Sequence, residues 1–171
     1  MSSLKKVSGK IVNHNEIFCG NISFDNKFQK IDRTKSNNFD QYIIPGFIDL
    51  HCHGAINNDT MQGLKSIKKM SEFHLSKGTT TLLPTTLTNK FEDTYKALEG
   101  FDKFFLKEDS NIAGIHLEGP FINPNKLGAQ PSLTQTPNID FIKKINKTAK
   151  VRTVTLAPEI KGAENLIKYL F

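Results

Sequence analysis

Two histidines separated by one residue, His51 and His53, close a short apolar run, Gly46-Phe47-Ile48-Asp49-Leu50. In a strand, side chains at i and i+2 share a face. Two imidazoles can then converge on one cation from a single strand, and neutral imidazole suits Zn, Fe, Ni and Cu. A later run, Ile112-Ala113-Gly114-Ile115-His116-Leu117, delivers Glu118 at its end. That carboxylate could bind the same ion or bridge a pair. Two histidines and a carboxylate are the ligand types of a catalytic zinc with an open water position. His51, His53 and Glu118 are therefore the candidate metal ligands.

Other polar residues have quieter readings. His116 shares a face with Glu118 and is read as a buried histidine orienting that carboxylate, with a ligand role as the alternative. Cys52 alternates away from the two histidines and reads as a packed thiol. Asp49 shares the histidine face one layer deeper, and Asp59 would steady the loop after the strand. Glu159 reads as a residue that supports the site from behind its ligands or anchors a loop, with a catalytic role as the alternative. His14 and His74 carry no supporting pattern and read as surface or edge residues.

The elements that must position these residues follow from periodicity. Four β-like runs begin at residues 46, 79, 112 and 151, which are 33, 33 and 39 residues apart. That is the length of a strand plus a crossover helix. Between them lie helical stripes: Leu64, Ile67, Met70 and His74; then Phe91, Tyr95, Leu98, Phe101 and Phe105 on one face; then Ile139, Ile142 and Ile145. Spacings of three and four mark one side of a helix. Gly78 stands where a left-handed residue closes a helix. The stripes read as core. Alternating strands and helices predict an α/β architecture with a parallel sheet or barrel. Each of the four strands ends in polar residues or prolines: His51-Cys52-His53, Pro84-Thr85-Thr86, His116-Leu117-Glu118 and Ala157-Pro158-Glu159. The carboxyl ends of strands are the active-site face of such folds. Residues 1–44 read differently, as short strands of a small β domain. Gly9–Val12 is one strand, Asp25-Asn26-Lys27 joins a hairpin, Arg33–Asn38 is a polar loop, and Tyr42–Ile44 returns to strand. Residues 45–171 form the second domain.

The chain has 171 residues, 37% of them hydrophobic, a net charge of +6 and two cysteines. A complete eight-fold barrel takes about 250 residues, so about four β/α units fit. The last helical pattern, Ala163 to Leu170, runs into Phe171 without a closing Gly, Asn or Pro, which reads as a barrel cut part-way. No apolar stretch approaches the roughly 20 residues that span a bilayer, and the start is no secretory signal. A cytoplasmic protein with no membrane partner is expected. The lysines lie scattered on polar helix faces without the interleaved aromatics of a single-strand binder, so no nucleic-acid partner is expected.

Pro45-Gly46-Phe47-Ile48-Asp49-Leu50-His51-Cys52-His53-Gly54 resembles the first barrel strand of the amidohydrolase superfamily. Gly114-Ile115-His116-Leu117-Glu118-Gly119-Pro120-Phe121, followed by Lys126-Leu127-Gly128-Ala129-Gln130, resembles the N-acetylglucosamine-6-phosphate deacetylase family within it. Val154-Thr155-Leu156-Ala157-Pro158-Glu159 fits as well. The resemblance spans essentially the whole chain and only the amino-terminal half of the family's length. It implies a partial (β/α)8 TIM-type barrel beside a small β domain, and a divalent metal, zinc first with Fe, Ni or Co as alternatives. It implies Glu118 as the principal ligand and His51 and His53 for a second metal. Ala129 and Gln130 fall where the family contacts its sugar; the usual residue at the latter place is His, and Gln cannot become cationic. The implied substrate is a small amino-sugar phosphate, hydrolysed to acetate and glucosamine 6-phosphate, with a homo-oligomer for the full-length family. The general-base Asp is expected beyond Phe171, as are two further histidine ligands and a phosphate-binding Arg, so residues 1–171 alone are expected to be inactive. Other readings are an amidohydrolase acting on another amide, dihydroorotase-like or N-acyl amino acid, and a non-catalytic gene remnant.

Overall fold

The computed structural model describes residues 3–36, 38–107 and 110–171. Asn37, within the polar loop expected at Arg33–Asn38, lies outside the described residues, as do Met1 and Ser2 of the start. The chain divides into two compact units, Met1–Gly46 and Phe47–Phe171.

The first unit is a four-stranded sheet of β1 (Lys5–Val12), β2 (Ile17–Phe24), β3 (Phe28–Arg33) and β4 (Tyr42–Ile43), ordered β3-β2-β1-β4. The first three strands form an antiparallel meander, and β4 joins β1 in parallel. The hairpin turns at Asp25-Asn26-Lys27, where Asp25 Oδ1 accepts the Lys27 N–H at 2.9 Å. An aspartate that bonds the backbone two residues on is a local turn former. β1 starts four residues earlier than the Gly9–Val12 run suggests.

The second unit alternates strand and helix. It runs β5 (Phe47–Cys52), β6 (Gly54–Ala55), β7 (Asn58–Asp59), α1 (Leu64–Ser76), β8 (Thr79–Pro84), α2 (Phe91–Leu98), α3 (Phe101–Phe105), β9 (Ile115–Glu118), α4 (Ile139–Ala149), β10 (Val151–Thr155) and α5 (Ala163–Leu170). β5 pairs with β8 and β9 with β10, both in parallel. Bridges from Leu82 to Ile112 and from Thr85 to His116, also parallel, tie β8 to the β9 segment. The resulting order β5-β8-β9-β10 is four consecutive β/α units of a barrel wall. Among the described residues β5 pairs only with β8 and β10 only with β9, so both outer edges carry unpaired backbone groups. β5 leaves Phe47, Ile48 and Leu50 more than half exposed.

Helices cover the other side of this wall. Ile115 and Leu117 of β9 are fully buried against Leu98, Phe101, Phe141, Ile145 and Leu166. Alternation then sends His116 and Glu118 to the opposite side. The aromatic stripe expected as one helix is two. Glu99 is extended and Gly100 adopts φ +78°, so the chain turns between Leu98 and Phe101 while both side chains stay in the core. A second difference is β6–β7, a two-residue hairpin whose turn residues Ile56 and Asn57 both have positive φ. Such turns favour Asn and Gly, and the β-branched Ile56 concealed it. No helix among the described residues is long and apolar enough to cross a membrane.

Candidate metal centre

His51 and His53 leave the end of β5, and Glu118 ends β9. One ligand atom from each lies within 4.8 Å of the others. His51 Nε2 is 3.2 Å from His53 Nε2. Glu118 Oε2 is 2.9 Å from His53 Nε2 and 3.7 Å from His51 Nε2. The sequence-derived trio is therefore brought together at the carboxyl end of the strands.

Local structure holds each member. The His51 N–H donates to Asp49 Oδ1 at 3.1 Å. The carbonyl of His53 accepts from both the backbone N–H and the hydroxyl of Thr60, at 2.8 and 3.0 Å. Thr60 opens a short 3-10 turn capped reciprocally by Asp59 and Gln62, so Asp59 does steady this loop. Thr85 matters more than its sequence position suggests. Its hydroxyl oxygen accepts the Cys52 N–H at 2.9 Å, and its carbonyl lies 3.2 Å from His53 Nδ1.

That last contact decides the chemistry of His53. With Nδ1–H donating to a carbonyl, Nε2 carries the lone pair. It faces a carboxylate oxygen that is buried and has no hydrogen-bond partner. Two lone-pair atoms at 2.9 Å repel unless a proton or a cation lies between them. A buried polar atom without a partner is costly, and a cation satisfies all three groups together. The residues present fit a divalent metal.

His116 is buried, at 5% exposure, but neither ring nitrogen reaches Glu118. Nδ1 faces the Leu50 carbonyl at 3.2 Å and Nε2 lies 2.8 Å from the Thr155 hydroxyl. It braces β9 between β5 and β10, which replaces the expected role of orienting the carboxylate. Burial, and then the neighbouring His51, push its pKa below the ordinary imidazole value. Ala129 is exposed, and Gln130 is half-buried with Oε1 accepting the Thr88 N–H at 2.9 Å. Thr88 in turn sits against Gly119, next to Glu118. Glu159 accepts from Asn123 Nδ2 at 2.7 Å, so it does anchor a loop. That bond, ahead of nearby Lys126, holds its carboxyl below the usual range. His74, expected at the surface or an edge, is half-buried and reaches Cys52: its Nε2 is 3.1 Å from the thiol sulfur. The signal was its place on the apolar stripe of α1.

Residues 42–165 match the amidohydrolase family. The chain belongs to that family. Amidohydrolases are metal-dependent, in keeping with the donor set above. This amidohydrolase chain is 36% identical over 140 residues to N-acetylglucosamine-6-phosphate deacetylase of Bacillus subtilis, covering 77% of this chain and 35% of the relative. It is 29% identical over 128 residues to N-acetylgalactosamine-6-phosphate deacetylase of Shewanella sp. (strain ANA-3), covering 72% and 32%. Its fold superposes on the crystal structure of N-acetylglucosamine-6-phosphate deacetylase from Thermotoga maritima with a TM-score of 0.85 and 29% identity, covering 97% of this chain and 46% of that one. The chain thus spans about a third of the curated relatives it matches, and the partial α/β barrel is the one their family shares.

Proposed function

We propose that this chain supplies part of the metal site of a deacetylase acting on an N-acetylated amino-sugar phosphate, with N-acetylglucosamine 6-phosphate as the substrate. The observation that carries the reading is the convergence of His53 Nε2, His51 Nε2 and the partnerless Glu118 Oε2 at one strand end, on a chain whose relatives are named for that reaction.

His51, His53 and Glu118 would hold the cation, with zinc favoured by two imidazoles and one carboxylate. The cation would polarise the amide carbonyl and make the attacking water more acidic. The chain's own groups do the positioning. Thr85 fixes the His53 tautomer, and Asp49 holds the His51 backbone. Gln130, joined to the Glu118 neighbourhood through Thr88 and Gly119, would approach the sugar. The resemblance assigns the general-base Asp, two further histidines and the phosphate-binding Arg to sequence outside residues 1–171. The same reading places the protein in the cytoplasm as part of a homo-oligomer.

The test is acetate release. A hybrid in which this chain replaces the aligned segment of the Bacillus subtilis relative is supplied with zinc. It is assayed on N-acetylglucosamine 6-phosphate and on its galactosamine epimer. Release that prefers the glucosamine substrate and collapses in Glu118→Gln is the expected result. A folded, metal-loaded hybrid that releases no acetate overturns the reading.

A further inference from the structure

A second group of metal-ligating side chains lies beside β5 and shares no residue with the first. It consists of Asp49, Cys52 and His74, whose ligand atoms lie within 4.8 Å of one another. We propose that these three residues form a separate site for a thiophilic divalent cation of the zinc class, which fastens α1 to β5.

The placement follows from the fold. Cys52 packs with Met70 and Leu82 on the helix side of the sheet. His74 lies one turn beyond Met70 on the same face of α1, so its ring reaches the thiol. Asp49 and Cys52 are three apart, and in a regular strand they would point to opposite faces. The pairing of β5 with β8 is irregular between Asp49 and Cys52, and this break lets the carboxylate join the sulfur and the imidazole.

The chemistry of the set is specific. Thiolate, imidazole and carboxylate are the three zinc-binding side-chain types, at about 2.3, 2.0–2.1 and 2.0–2.2 Å from the ion. Those bond lengths at tetrahedral angles put sulfur and nitrogen roughly 3.6 Å apart. The 3.1 Å between Cys52 Sγ and His74 Nε2 requires only a small opening. Thiolate and carboxylate together carry two negative charges, which a divalent cation neutralises, easing the cost of burying them. Asp49 accepts the His51 N–H through Oδ1, and a carboxylate with two oxygens and about four lone-pair sites has capacity left for the ion. Sulfur ligation selects zinc-class metals over magnesium and calcium, which prefer oxygen. On binding, the sulfur–metal bond forms as the thiol proton passes to solvent, with no change of oxidation state. His74 is half-buried, which leaves a route for entry.

The inference does not rest on the deacetylase reading, and its test reads the ligand rather than the reaction. The 171-residue chain is stripped with chelator and titrated with cobalt as a spectroscopic stand-in for zinc. A thiolate-to-cobalt charge-transfer band is expected, saturating at one equivalent and removed by excess zinc. Cys52→Ser and His74→Gln abolish it, Asp49→Asn weakens binding at least about tenfold, and Glu118→Gln leaves it intact. Should Cys52→Ser fail to fold by circular dichroism, His74→Gln on the half-exposed helix face decides. Absence of the band in the folded wild-type chain overturns the proposal. So does its survival in Cys52→Ser, which would assign it to Cys19, or its loss in Glu118→Gln.

Discussion

His53 Nε2 lies 2.9 Å from Glu118 Oε2 while the other nitrogen of the same ring faces the Thr85 carbonyl at 3.2 Å. A carbonyl can only accept, so Nδ1 is the N–H that faces it; in the neutral ring Nε2 then bears a lone pair, and the short contact joins two acceptors. A cation relieves it. Glu118→Gln replaces the anionic oxygen with a neutral amide and is expected to weaken divalent-metal binding at this centre beyond the roughly 10–100-fold that loss of an outer-shell partner costs. Competition of zinc against a chromophoric chelator measures this. With the Asp49–Cys52–His74 site intact, the variant should retain one cation where the wild type holds more.

His116 links protonation to stability. Burial and His51 depress its pKa in the folded chain from the ordinary 6.5. The unfolded chain therefore binds this proton first as pH falls. Stability from keeping His116 neutral is fully present above the unfolded pKa of about 6.5 and is lost as pH drops toward the folded value. Urea unfolding should show stability that holds above the unfolded value of about 6.5 and falls as the pH is taken below it. His116→Gln, which preserves a donor and an acceptor, should flatten that slope even if it lowers stability throughout.

Gly119 follows Glu118 with φ +69°, and a Cβ there would stand 2.2 Å from Thr88 Oγ1. Both the left-handed backbone and the contact exclude a side chain. Gly119→Ala is expected to cost about 1–3 kcal/mol from backbone strain alone, with more from the collision. Because Glu118 is adjacent, metal affinity should fall in parallel. Thermal unfolding with and without zinc separates the two effects: a variant whose midpoint and zinc response both match wild type would contradict this account.

How much of this was legible in the sequence depends on which residues obey a simple period. His51 and His53 sit on an i, i+2 repeat and Glu118 ends a buried strand, so their convergence could be read from alternation and the parallel topology. Leu64, Ile67, Met70 and His74 likewise announced α1. What escaped depended on departures from period. Gly100 turned one helical stripe into two because a lone Gly inside a pattern reads as tolerated. The irregular register at Asp49–Cys52 moved a carboxylate that strict alternation assigns to the histidine face. The turn at Ile56-Asn57 used a residue poorly suited to positive φ. His74 was visible on the stripe, but its partner came from a different element, and no local spacing reports such a contact.

Gln130 offers a way to separate architecture from recognition. Its Oε1 accepts the Thr88 N–H at 2.9 Å, and Thr88 is 1% exposed. Removing the acceptor leaves that donor without its partner, so Gln130→Ala should cost about 1–3 kcal/mol. Gln130→Glu keeps an oxygen for Thr88 and should stay within about 0.5 kcal/mol of wild type. It also loses both amide donors and adds a negative charge where a sugar phosphate is proposed to bind. In the hybrid enzyme Gln130→Glu should therefore raise KM for N-acetylglucosamine 6-phosphate by about tenfold or more, an effect of about 1.4 kcal/mol on binding, with a smaller change in kcat. Gln130→His, which can carry a positive charge, should leave KM unchanged or lower it. An unchanged KM in Gln130→Glu would confine Gln130 to its structural bond with Thr88.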